Sequence, residues 1–281
     1  MNVINQLEYL PDFSDSEKVL AKYILEHGEK ILTMSTQDLA KATYTSPATV
    51  VRLCKKIGLK GYNDFKIQYS AELQFNLKHN DLTDVNFPFK EGDSIKAIAH
   101  SLANIKKEAI DETHSLVDEK EVRKIVDAML QARNISIYAI SFPLVDALDF
   151  QRKLAYIGLK VETCLLEGEQ VYQAMNSNNE DVAIILSYSG MTDTMCDIAK
   201  ILKKRKTKII SITCVNENDL SKIADYHLYL SSRENWKTKI GTFASTASFH
   251  YVLDLLYCGI FERNYQRNLA YKLDADKELN N

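Results

Sequence analysis

The sequence predicts two units of different class. An all-α unit spans residues 1–77, a linker spans 78–92, and an α/β unit with an open parallel sheet spans 93–281. Three observations carry this. Helical periods and caps run through the first quarter of the chain with no strand pattern. The stretch KHNDLTDVNFPFKEGDS, 78–94, is polar, holds a Pro and a Gly, and has no sustained period. From Ile135 onward, short apolar runs alternate with helical ones, which implies parallel strands joined by helical crossovers.

Taken in order, Ser14 and Glu17 form a capping box, and Val19, Leu20, Tyr23 and Ile24 follow at helical spacing. Thr36 to Ala42 is a second, short helix. Ser46-Pro47 opens a third, with Ser as N-cap and Pro in the first turn, and Gly58 ends it. Asp64 to about Leu77 is a fourth. Beyond the linker, helices cover about Asp93 to Leu116 and Asp118 to Ala132. Strands follow at ISIYAI, LKVETCL, DVAIILSYSG (with the strand ending at Ser187), KTKIISITC and DYHLYLS. A long helix covers Phe243 to Arg263, and NLAYKLDADKELNN reads as a charged helical tail.

The chain has 281 residues, room for two ordinary domains, and is 46% hydrophobic and 26% charged, a globular balance. A net charge of −3 excludes a bulk polyanion binder, so any nucleic-acid contact must come from a local patch. The start, MNVINQLEYLPDF, lacks the basic and apolar regions of a signal peptide. No apolar run approaches the roughly 20 residues of a membrane span, so a cytoplasmic location is expected. Cys54, Cys164, Cys196, Cys214 and Cys258 are scattered, with neither CxxC nor zinc-finger spacing. They read as reduced core thiols, and neither a metal nor a cofactor is expected.

The local patch exists. Residues 35–66 hold six Lys/Arg against Asp38 and Asp64. A helix, the tight turn TYTS and a second helix make helix-turn-helix spacing. On the second helix Val50, Leu53, Cys54 and Ile57 fall on one side. Thr49, Arg52 and Lys56 fall on another, with Lys55 beside them and Ser46 at the start. Such a face suits a major groove: Arg reads guanine edges, while Lys and Ser/Thr hold phosphates. Lys41, Lys60 and Lys66 flank it. The plainer alternative is a solvated charged face on a helical bundle.

A second constellation lies in DVAIILSYSGMTDTMCDIAKIL. A buried strand runs into Ser187, Ser189, Gly190 and Thr192, and a helix begins there. Hydroxyls and free backbone N–H groups thus converge at the positive end of a helix dipole. Gly190 lets the chain turn and a ligand approach. The place is the carboxyl end of a parallel strand, where open α/β sheets bind ligands. The alternative is that Ser, Gly and Thr are common turn and cap residues.

Both constellations, in this order, resemble the RpiR-type bacterial transcriptional regulators, which join a helix-turn-helix domain to a sugar-isomerase (SIS) domain of flavodoxin-like fold. SPATVVRLCKKIGLKGYNDFK is similar to the family's recognition helix and the segment after it, LSYSGMTDT to its serine motif, and LDLLY, 253–257, to its last helix. The resemblance implies phosphosugar contacts at Ser187, Ser189 and Thr192, and dimer contacts chiefly in the SIS domain. One departure stands out. Against the family's Gly-rich first loop, AISFPLVDALDFQ places Ala139 and Ser141 at glycine positions and Pro143 at the ligand-holding serine. Proline offers neither hydroxyl nor N–H. Ser141 could stand in only through a shift of the loop.

The expected function is a DNA-binding regulator of carbohydrate genes. Its partners would be double-stranded, palindromic DNA and a phosphorylated sugar, and it would act as a homodimer or tetramer. Two alternatives stay open: a sugar-phosphate isomerase with an appended helical domain, and a SIS domain that only dimerises. Isomerisation needs a positioned base. Glu167, Glu169, Glu234, His227 and His250 each read more simply as surface or packing residues. Lys239 can reach a phosphate from the segment before the last helix, with a solvated lysine as the alternative reading.

Overall fold

The computed structural model describes residues 3–9, 13–78, 84–214, 218–235 and 239–279, and the chain divides into two compact units, 1–82 and 83–281. The first unit is all helix: α1 (Val3–Tyr9), α2 (Asp15–His27), α3 (Lys30–Thr33), α4 (Thr36–Ala42), α5 (Pro47–Lys56) and α6 (Tyr62–Lys78). Helices α1 and α3 were not evident from the sequence, and α6 begins two residues before Asp64. The reason for α1 is tertiary: Glu72 on α6 accepts from the Val3 and Ile4 N–H groups, capping a helix 68 residues away. Ser14 and Glu17 form the expected capping box on α2, and Ser35 with Asp38 forms another on α4. One core, including Leu20, Ile24, Leu39, Val50, Leu53, Ile57 and Phe65, joins these helices. Each such aliphatic side chain contributes about 1.5–3 kcal/mol by burial.

The second unit runs α7 (Ile95–Ser115), α8 (Glu119–Gln131), β1 (Ile135–Ala139), α9 (Phe142–Ala155), β2 (Val161–Thr163), α10 (Gln170–Met175), β3 (Val182–Leu186), α11 (Asp193–Lys204), β4 (Lys208–Cys214), β5 (Tyr226–Leu230), α12 (Phe243–Arg263) and α13 (Tyr265–Leu279). The five strands are all parallel, in the order β2-β1-β3-β4-β5. Apolar residues of β1, β3 and β4 face both ways. Ile137, Ile184 and Ile212 pack on α8, α9 and α12, while Tyr138, Ile185 and Ile209 pack on α10 and α11. That makes a three-layer α/β/α unit, with strands buried on both faces as parallel sheets require.

Strand β3 ends at Leu186, one residue before Ser187, although the Ser187 N–H still reaches Ile212 O of β4. Residues 84–92, read as linker from composition, include an anchored part. Val85 is buried beside Ile105, Ala109 and Ala244. Asn86 accepts from the N–H groups of Asn235 and Ile240. Residues 79–83 lie outside the described residues. Among the described residues, no helix is long and apolar enough to cross a membrane.

Candidate DNA-reading helix and anion cleft

Ser46 Oγ accepts the Thr49 N–H at 3.1 Å and caps α5, with Pro47 in the first turn. The far end closes as a Schellman turn: Leu59 N–H reaches Cys54 O, Gly58 N–H reaches Lys55 O, and Gly58 takes φ +81°. Val50, Leu53, Cys54 and Ile57 are buried, as their spacing requires. The open face carries Ser46, Pro47, Ala48, Arg52, Lys55 and Lys56. Tyr44, in the turn before it, is 99% exposed.

One residue departs from the expected face, and another is engaged there by an ion pair. Thr49 is buried, and its hydroxyl meets Ser46 Oγ at 3.0 Å and accepts from Arg52 Nη2 at 3.3 Å. One turn inside the cap, it points back along the helix rather than out. Lys56 Nζ donates to Glu17 Oε2 at 3.1 Å and sits 5.7 Å from the Phe13 ring centroid. Arg52 Nε lies 3.5 Å from Glu17 Oε1. Burial pushes the Glu17 carboxyl up. Hydrogen bonds from the Ser14 N–H and Lys56 outweigh that and hold it below the usual carboxylate range. Sequence reasoning could not see Glu17 here, because it lies 39 residues from Lys56.

The serine loop follows β3. In this strand order the chain reverses direction between β1 and β3, so their carboxyl ends form the switch point of the sheet. A cleft of ≈190 Å³ opens there, lined by Ser141, Pro143, Ser187, Ser189, Thr192 and Lys239 among others. It is small beside the ~300–1,000 Å³ of drug-sized sites, so it suits a compact polar ligand. Two larger grooves, ≈490 and ≈380 Å³, lie beside the edge strand β2. The first presents the carboxylates of Glu162 and Glu169, which oppose an anion, and in the second Glu162 and Asp181 face Arg133 and Lys160.

The N-termini of α9 and α11 both open into the cleft. Neither Ser141 nor Thr192 caps its helix with its side chain; α3, α10 and α12 also lack side-chain caps, whereas α2, α4, α5, α7 and α8 have them. The first N–H groups of a helix have no intrahelical partner, so these ends are free to meet an anion. Ser187 Oγ and Thr192 Oγ1 lie 3.2 Å apart, and Ser189 Oγ accepts from the Met191 N–H. Gly190 takes φ +66°, and a Cβ on it would collide with the Asn218 side chain. Ser141 takes φ +59°, a region that costs a non-glycine residue roughly 1–3 kcal/mol. That backbone is what a glycine at this position would adopt freely. Pro143 falls in the first turn of α9, where a missing N–H removes one of the open donors.

Lys239 is not a solvated lysine. Its side chain is 11% exposed and its Nζ lies 5.4 Å from the Phe142 ring centroid and 5.5 Å from that of Tyr188. Glu234, whose side chain is wholly buried, faces it at 3.4 Å and takes the Ser245 N–H on its other oxygen. Tyr188 donates to Ser231 O and accepts the Glu234 N–H; burial pushes its phenol well above the usual range. The other weighed candidates lie apart. Glu167 and Glu169 are exposed in a 3₁₀ turn, His227 pairs with Ser211, and His250 pairs with buried Asp146 at 2.7 Å. Among the described residues, no three His, Cys, Asp or Glu side chains gather as a metal site.

Residues 1–76 match the model of a helix-turn-helix domain of the rpiR family, and residues 128–257 match that of the SIS domain. An HTH-type transcriptional regulator of Caldanaerobacter subterraneus is 30% identical over 97% of this chain and 94% of its own length. The Vibrio vulnificus NanR protein, solved as a complex with ManNAc-6P, is 26% identical, with a TM-score of 0.63 over 99% of this chain and 98% of that one. The sugar isomerase domain of an RpiR transcription factor from Sphaerobacter thermophilus shares the fold. It is 16% identical, with a TM-score of 0.57, and the match covers 64% of this chain and 98% of that one. With a helix-turn-helix unit ahead of a parallel-sheet SIS unit and a full-length relative at this identity, the chain belongs to the rpiR family of HTH-type transcriptional regulators.

Proposed function

We propose that the chain binds operator DNA through α5 and that a phosphorylated sugar in the α9/α11 cleft changes its affinity for that DNA. The observation that carries this is the cleft itself: two helix N-termini without side-chain caps, four Ser/Thr hydroxyls and one sequestered cation at the switch point of the sheet. The NanR complex with ManNAc-6P supports the ligand class. Ser187, Ser189, Gly190 and Thr192 supply the loop named from the sequence, and Ser141 and Lys239 join them. Arg52 reads bases, Ser46 and Lys55 hold phosphates, Lys56 is engaged by Glu17, and Thr49 acts from behind the face. A homodimer or tetramer on a palindrome fits this reading, since one helix-turn-helix reads too few bases. Ligand action then rests on different affinities for two arrangements of the assembly, inside the cytoplasm.

A sensor fits better than an isomerase. The carboxylate behind the cleft, Glu234, is wholly buried, holds the Ser245 N–H on one oxygen and faces Lys239 with the other, which leaves it poorly placed as a general base. Isothermal titration of wild type, Ser189→Ala and Pro143→Ser against a panel of sugar phosphates tests the reading. Binding by wild type, loss in Ser189→Ala and a gain in Pro143→Ser are the expected results. With no binding at millimolar concentration, the SIS unit is a dimerising scaffold. Turnover abolished by Ser189→Ala would make it an isomerase.

A further inference from the structure

Glu17 is buried beneath a DNA-facing helix, accepts from one of that helix's cations and pairs with a second. Its Oε2 takes the Ser14 N–H at 2.9 Å and Lys56 Nζ at 3.1 Å, while Oε1 lies 3.5 Å from Arg52 Nε. Arg52 has a second tether, from Nη2 to the buried Thr49 hydroxyl. The guanidinium is thus held along one edge by two fixed groups, although its side chain is 65% exposed. A long arginine otherwise samples many rotamers, and ordering it on DNA costs affinity for the specific site.

We propose that Glu17 is a specificity-determining positioning residue: it presets Arg52 for base reading and withholds the charge of Lys56 from indiscriminate phosphate contact. The inference rests on the α5 reading above and deepens it. Orientation of a reading group by a buried partner raises the contrast between right and wrong sequences. A carboxylate beside two cations lowers attraction to every sequence alike. Glu17 therefore trades general affinity for discrimination. The capping box alone asks for none of this, since glutamine serves it as well as glutamate.

Glu17→Gln keeps the cap and removes the charge, Glu17→Asp keeps the charge and shortens the reach, and Ser14→Ala removes the cap hydroxyl while keeping the Ser14 N–H bond to Glu17. Full-length proteins are titrated with a duplex that wild type selects from a random pool, and with sheared heterologous DNA, across a salt series. Glu17→Gln should bind heterologous DNA more tightly, steepen the salt slope by about 1, and lower the specific-to-nonspecific ratio about tenfold. Glu17→Asp should lower the ratio with the slope unchanged. Ser14→Ala should lower thermal stability and leave ratio and slope as in wild type. A ratio within twofold of wild type in every Glu17 variant that folds overturns the inference. If Arg52→Ala also leaves the ratio intact, the α5 reading itself has failed; if Arg52→Ala collapses it, only the role of Glu17 has.

Discussion

Lys239 Nζ lies 3.4 Å from Glu234 Oε1, and among the described residues that oxygen has no hydrogen bond, although its carboxylate is wholly buried. The pair is close enough to compensate charge and loose enough for a ligand phosphate to compete for the cation. Lys239→Ala should therefore act twice. It should weaken sugar-phosphate binding by about 1.5–3 kcal/mol, roughly ten- to a hundredfold. It should also destabilise the fold by about 3–5 kcal/mol, because Glu234 is left buried and unpaired. Lys239→Ala with Glu234→Gln should regain much of the stability and none of the binding. Thermal melts beside calorimetry separate the two effects.

Gly190 holds the serine loop where a side chain cannot follow. Gly190→Ala places a methyl group inside the space of Asn218 and asks a non-glycine residue for φ +66°. The backbone alone costs roughly 1–2 kcal/mol. A lowered melting temperature and loss of sugar-phosphate binding are expected. A variant that binds like wild type would show that the loop does not need its present course.

The reach of the sequence can be judged from particular residues. Ser46-Pro47 and Gly58 delimit α5 because caps act on their own helix, within a few residues. The strands are legible because an all-parallel sheet buries both faces and so leaves continuous apolar runs. What escaped depends on distant partners. Helix α1 needs Glu72, the ion pair of Lys56 needs Glu17, and the sequestration of Lys239 needs Phe142, Tyr188 and Glu234. Composition could not show that 84–92 includes an anchored segment, because Asn86 meets its partners about 150 residues later.

On the DNA side, Arg52→Ala should cost roughly 1–3 kcal/mol on the specific duplex and relax sequence preference. Lys55→Ala should weaken binding to every duplex and flatten the salt slope by about 0.9 for one lost phosphate contact. Because Lys56 is engaged by Glu17, Lys56→Ala should change the slope less than Lys55→Ala does. Fluorescence anisotropy at several salt concentrations reads all three.

Asp146 gives a stability handle outside both sites. Burial pushes its carboxyl up to about 6, against the opposing pull of His250. A carboxyl whose folded pKa is raised contributes stability that is full below its unfolded value near 4 and lost as pH rises through 6. Asp146→Asn should flatten stability between pH 4 and 6 by at most about 3 kcal/mol relative to wild type. Urea titrations at stepped pH measure it, and parallel curves for the two proteins would refute the assignment.

The central claim is that one anion cleft governs DNA affinity. The most direct measurement is the affinity of full-length protein for its selected duplex, with and without millimolar sugar phosphates, in wild type and Ser189→Ala. The account predicts that at least one sugar phosphate shifts the wild-type Kd by about 5-fold or more, the usual scale of allosteric coupling. Ser189→Ala should bind DNA equally well and ignore the sugar. An unchanged Kd across the panel, or an equal response in Ser189→Ala, would contradict it.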